Sequence, residues 1–92
     1  MPQMDAESKL IVLKHNLQII TNANDKYLNI LLDQAEALMK REGIMNDDTD
    51  DYHLAQIDYA AYLFRKRANL EAGFPTHLRY ELNNILFSQK SK

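Results

Sequence analysis

Apolar residues recur along this chain with a helical period in four stretches, and one stretch differs in kind from the rest. Between Asp25 and Glu42, the residues Leu28, Leu31, Leu32, Ala35, Leu38 and Met39 fall on one stripe roughly 120° wide, as expected of a helix packed on a core. Lys40 and Arg41 occupy its last turn, where cations suit the helix dipole, and Gly43 follows as the stop. Asn22 or Asn24 is expected to cap its start, with Asp25 at the positive end. From Tyr52 to Asn69 the pattern has two apolar faces. Tyr52, Ala55, Tyr59, Tyr62 and Leu63 lie on one side; Leu54, Ile57, Ala61, Phe64 and Ala68 lie opposite. His53, Gln56 and Arg67 mark one polar seam between them, and Asp58, Arg65 and Asn69 the other. A helix apolar on two sides is covered on two sides. This one is therefore predicted to be the centre of the domain, or to lie between it and a neighbouring subunit.

The flanking stretches are plainer. Ala6, Leu10, Leu13 and Leu17 form a stripe on a first helix capped by Asp5 or Glu7. The run Leu10–Leu13 also fits a short strand, but its polar flanks and the leucine at position 17 favour helix. Leu17–Ile20 is expected to form an extended apolar plug before the polar turn Thr21–Asn24. Gly73 is expected to stop the central helix. Phe74 and Pro75 then open a last helix, with proline at its first position and Phe74 packing back over the turn. Leu78, Leu82, Ile85 and Leu86 form its core stripe, while Tyr80 and Phe87 fall on the far side. The predicted architecture is all-α, a small bundle of about four helices at 6–16, 24–42, 51–69 and 75–88. It occupies a single domain, 1–92, with flexible tails at 1–5 and 89–92.

A chain of 92 residues can bury a core, but a marginal one unless something supports it. With no cysteine, neither a disulfide nor a thiolate zinc site can do so, which leaves association between copies. No apolar run approaches the roughly 18 residues a membrane span needs, and the acidic N-terminus has no signal-peptide pattern. The net charge of −2 conceals an asymmetry. Residues 45–58 hold five aspartates and no Lys or Arg, whereas residues 65–92 hold six cations against Glu71 and Glu81. These are either ordinary solvated faces or complementary patches for a head-to-tail contact between identical subunits.

Catalytic chemistry finds little purchase. His15, His53 and His77 stand apart, none with a neighbour at helical spacing that reads as a ligand pair, so no metal site or cofactor is expected. The run Asn46–Asp51 alternates oxygen donors like a calcium loop. It lacks the turn glycine, and Ile57 stands where a bidentate glutamate is required. It reads as an acidic loop that caps the central helix through Thr49 or Asp50. Ser8 and Ser88 have no nucleophile context, and Gly43 and Gly73 alone cannot build a phosphate loop. The chain is predicted not to be an enzyme. Arg65 and Arg67 project from opposite seams and form no single ridge, so free duplex binding is not indicated.

Two segments resemble a known family. Ile57-Asp-Tyr-Ala-Ala-Tyr-Leu-Phe-Arg-Lys-Arg67, followed by Phe74-Pro-Thr-His-Leu-Arg-Tyr-Glu-Leu-Asn-Asn-Ile-Leu-Phe-Ser-Gln-Lys90, is similar to the phage head–tail connector proteins. These are the small head-completion or adaptor proteins of long-tailed double-stranded DNA phages, often described as DNA-packaging proteins. The helix from Tyr27 to Leu38 sits where that family has its first long helix, so the resemblance spans roughly residues 8–90. The chain departs from the family's pattern at Glu71–Phe74, and some relatives have a longer C-terminal arm.

The resemblance implies a structural virion protein at the head–tail junction, assembled in the host cytoplasm. Its subunits would form a dodecameric ring beneath the portal, extend the DNA channel and offer the attachment site for a stopper or tail-completion protein. Packaged DNA would pass through without sequence-specific binding. On this reading Tyr59, Tyr62, Tyr80 and Phe87 are candidate ring contacts, with Arg65 and Arg67 facing Asp47 and Asp48 of the next subunit. The alternatives are a small cytosolic helical module that binds one protein partner and, behind it, a nucleic-acid-binding helical domain.

Overall fold

The computed structural model describes residues 5–90, so the tail residues 1–4 and 91–92 lie outside it. It is all-α: α1 spans Ala6–Leu17, α2 Asp25–Arg41, α3 Asp50–Ala68 and α4 Thr76–Lys90. Each begins and ends for a local reason. The Asp5 carboxylate accepts the Ser8 N–H at 2.8 Å and caps α1. Thr49 Oγ accepts the Tyr52 N–H at 3.2 Å and caps α3. Asn24 holds the cap position of α2 without a side-chain cap bond, and Asp25 beside it pairs with Lys14 at 2.9 Å.

Two helices end in the same backbone motif with different residues. After α2, Gly43 takes a left-handed φ of 94°, donating its N–H to Lys40 while Ile44 donates to Met39. After α1, Gln18 takes φ 59°, donating to His15 while Ile19 donates to Lys14. These paired bonds satisfy carbonyls that the helix end orphans. The left-handed Gln18 also ends the expected apolar plug. Leu17 closes the helix, Ile19 is half-buried, and Ile20 is 95 % exposed.

Gly73 does not stop α3. Asn69 does: it leaves the helix in an extended conformation, its side-chain oxygen accepts the Glu71 N–H, and its carbonyl accepts that of Ala72. Helix α4 starts at Thr76, one residue later than expected, with the Pro75 carbonyl accepting the Arg79 N–H. At its other end Gln89 is not tail. Its amide donates to the Met45 carbonyl at 2.6 Å and accepts the Met45 N–H at 2.9 Å, which ties α4 to the loop before α3.

One core joins all four helices. Helix α3 lies at its centre, packed most extensively on α2 and then on α1 and α4. The two-faced pattern locates this helix correctly, but one polar seam is misassigned. His53 and Gln56 are 2 % and 3 % exposed, so that side of α3 is covered as well. Gln56 is buried with both ends satisfied: its amide donates to the Leu32 carbonyl at 2.9 Å and its oxygen accepts from Lys9 at 2.7 Å. It therefore bridges α1, α2 and α3. Leu54, expected on an apolar face, is exposed instead.

Candidate functional site

The acidic and basic clusters sit at opposite ends of α3. At 1.5 Å per residue the helix separates them by about 23 Å. Asp50 and Asp51 lie in the first turn and Arg65, Lys66 and Arg67 in the last, each sign where the helix dipole favours it. Part of the asymmetry thus serves the helix itself.

The aspartates before α3 also hold the loop together. Asp47 accepts hydrogen bonds from the Thr49 hydroxyl at 2.7 Å, the Thr49 N–H and the Gln89 amide. Burial pushes its carboxyl up, but those bonds together outweigh the effect and hold it below the usual carboxylate range. Asp48 is left-handed at φ 62° and its carboxylate lies 2.7 Å from His53 Nε2. His53 is thereby fixed inside the core by a residue at the surface.

At the far end, each basic side chain also touches the rest of its own chain. Arg65 donates to the Asn16 side chain at 3.0 Å. The Arg67 guanidinium lies 4.7 Å over the Tyr27 ring, and Lys66 lies 5.7 Å from the Tyr62 ring centre. All three remain exposed.

The four aromatic candidates divide in two. Tyr59 and Tyr62 are each 8 % exposed and pack edge-on to Phe74, at ring separations of 5.4 and 5.0 Å. Arg79 covers the outer face of Phe74 at 4.8 Å. This cluster fastens the start of α4 to the end of α3. The two tyrosines, expected as ring contacts, are largely taken up by this packing and have little exposed surface. Tyr80 and Phe87 are 65 % and 66 % exposed, seven residues apart on the outer side of α4.

Helices α3 and α4 run antiparallel, with Phe74 near the end of α3 and Gln89 near its beginning. Between them opens a cleft of about 280 Å³ lined by Asp47, Asp51, Leu54, Glu81, Asn84 and Ile85. Apolar Leu54 and Ile85 line it together with the carboxylates of Asp47, Asp51 and Glu81. Glu81 lies at the rim facing Asp58, and its carboxyl is pushed up to about 7. Partial burial is the largest cause, followed by a hydrogen bond with Asp58 and the negative charges of Asp58 and Asp51.

Beside Glu81, and contrary to expectation, a possible metal-ligand set does form. Ligand atoms of Asp58, His77 and Glu81 all lie within 4.8 Å of one another. Spacing offered half of this signal, since His77 and Glu81 are four residues apart on α4. The third member comes from α3 and needs the fold to be seen.

Among the described residues no helix is long and apolar enough to cross a membrane. Compared with known proteins, the chain matches no family model, no curated protein and no solved structure.

Proposed function

We propose that this chain is a structural subunit of the phage head–tail connector type, which assembles head-to-tail into a ring beneath the portal and has no catalytic role. The observation that carries the reading is the polarity of α3. A cleft lined by Asp47, Asp51, Glu81 and two apolar residues opens toward its start, and three exposed cations stand at its end. Surfaces that differ in this way pair heterologously, and a heterologous contact whose rotation closes makes a ring. In such a ring the Arg65–Arg67 end of one subunit meets the Asp47–Asp51 rim of the next, while Tyr80 and Phe87 supply apolar contact area beside it. The subunit is a slab, with Cα extents of 41 × 35 × 18 Å, so it presents broad faces to neighbours. The resemblance of residues 57–67 and 74–90 to connector proteins supplies the biological setting: portal above, stopper or tail-completion protein below, and packaged DNA through the channel.

The test is the mass in solution over a concentration series, by light scattering after size exclusion, alone and with portal added. A discrete closed oligomer, or a stoichiometric complex with portal, supports the reading. A monomer that ignores portal defeats it and leaves a helical module that binds a single protein partner.

A further inference from the structure

We propose that Asp58, His77 and Glu81 bind one divalent transition-metal ion of the zinc class, and that the ion clamps α4 onto α3. The inference is independent of ring assembly. His77 and Glu81 occupy successive turns of α4 and share one face, the spacing by which a helix offers two ligands to one ion. Asp58 reaches the same point from the antiparallel α3. The three ligand atoms lie within 4.8 Å of one another. Around a tetrahedral ion with bonds near 2.1 Å they would stand about 3.4 Å apart. His77 is exposed and Asp58 and Glu81 only half-buried, so their side chains have room to rotate toward a common ion.

The chemistry of the set points the same way. Two carboxylates are brought together here, and among the described residues neither is ion-paired to a Lys or Arg. The field at Glu81 is that of its acidic neighbours Asp58 and Asp51. A divalent cation converts this repulsion into attraction, which a monovalent partner on one side would do only in part. The imidazole decides the class of ion. Calcium and magnesium favour all-oxygen shells, whereas one imidazole with two carboxylates suits zinc and its first-row neighbours. Three protein ligands leave at least one coordination position to water or to a group from another molecule. The site joins α4 to the helix on which it chiefly packs, so occupancy is coupled to α4 docking.

The experiment is a zinc titration of chelator-stripped protein by calorimetry, with thermal unfolding followed in parallel. The variants are His77→Ala, Glu81→Gln and, as a control, His15→Ala. The parent and His15→Ala should each bind one zinc per chain, and their unfolding midpoints should rise with zinc by mass action. His77→Ala and Glu81→Gln should lose at least the roughly tenfold in affinity that even an outer-shell partner is worth. Their midpoints should not respond to zinc. His77 is exposed, so its variant folds, and unfolding of the metal-free form verifies that directly. Saturation at other than one ion per chain, no saturable binding in the parent, or equal affinity in His77→Ala would overturn the site.

Discussion

The two sides of α3 are built on different physics. Toward α2 and α1 the contact is an apolar core, in which Leu13, Leu28, Leu31, Leu32, Ala35 and Met39 join the buried residues of α3 in one cluster. Of the polar groups enclosed there, Gln56 is bonded to Lys9 and Leu32, while His53 meets Asp48 through Nε2 and leaves Nδ1 buried without a hydrogen-bond partner among the described residues. Toward α4 the buried apolar contact runs along Leu78, Leu82 and Ile85, with Phe74 and Leu86 packed at its edge, and beside it lie charged groups, aromatic rings and an open cleft. The first side holds the fold together. The second keeps exposed surface, which is where a small domain can place a partner or an ion.

The sharpest way to test that contrast is to damage each side and ask what fails. Leu28 is fully buried in the α2–α3 layer. Leu28→Ala should cost about 2–5 kcal/mol through lost transfer energy and an unfilled cavity. A domain of this size has only about 5–15 kcal/mol in hand, so the denaturant midpoint should fall far or the chain should not fold. A loss under about 1 kcal/mol would mean that the layer is loosely packed.

Tyr80→Ala with Phe87→Ala should do the reverse. Both side chains are mostly exposed, so monomer stability should change by no more than about 0.5 kcal/mol per site. Self-association or portal binding should be abolished, because aromatic side chains dominate interface energetics. Intact assembly in the double variant would remove α4 from the interface and leave the charged ends of α3 to account for it.

This division also explains what the sequence could reveal. The α2 stripe, the α4 stripe, the Thr49 cap and the Gly43 stop are local features, and each follows from spacing or from one residue's backbone preference. Burial of His53 and Gln56 does not. Their polarity marks them for solvent, and only partners from distant residues, Lys9 and Leu32 for Gln56, make the core accept them. Tyr59 and Tyr62 posed the same difficulty from the other direction. A tyrosine face reads equally as core or as interface until Phe74 is seen to fill it. Asp58 is 19 positions before His77, so their meeting depends on the α3–α4 hairpin and not on any motif.

A smaller effect isolates the electrostatics of the α4 side. The folded chain holds the Glu81 proton up to about pH 7, against an ordinary value of 4.5. A carboxyl whose folded pKa is raised contributes stability that is complete below its unfolded pKa and is lost as pH rises through the folded one. Metal-free protein should therefore lose stability between about pH 4.5 and 7 on this account. Glu81 is only half-buried, so solvent screening should hold the loss to about 1 kcal/mol. Glu81→Gln carries no titrating proton and should flatten this part of the pH profile in denaturant melts. An identical slope in the variant would assign the pH dependence to other groups.

The smallest expected change is a gain, and it compares the two helix ends directly. Gly43 and Gln18 close α2 and α1 with the same pair of backbone bonds, both at positive φ. Glycine reaches that region without a Cβ clash, whereas an L side chain incurs strain that the bonds at Ile19 and Gln18 must offset. Gln18 is exposed and its side chain holds no hydrogen bond that the α1 end requires. Gln18→Gly should therefore raise stability by about 0.5–1 kcal/mol, net of the extra chain entropy glycine brings to the unfolded state. The unfolding midpoint should rise by roughly 4 °C for a domain of this size. An unchanged or lower midpoint would mean that the αL position at the α1 end is relaxed by neighbouring contacts, and that the two helix ends are equivalent in energy as well as in geometry.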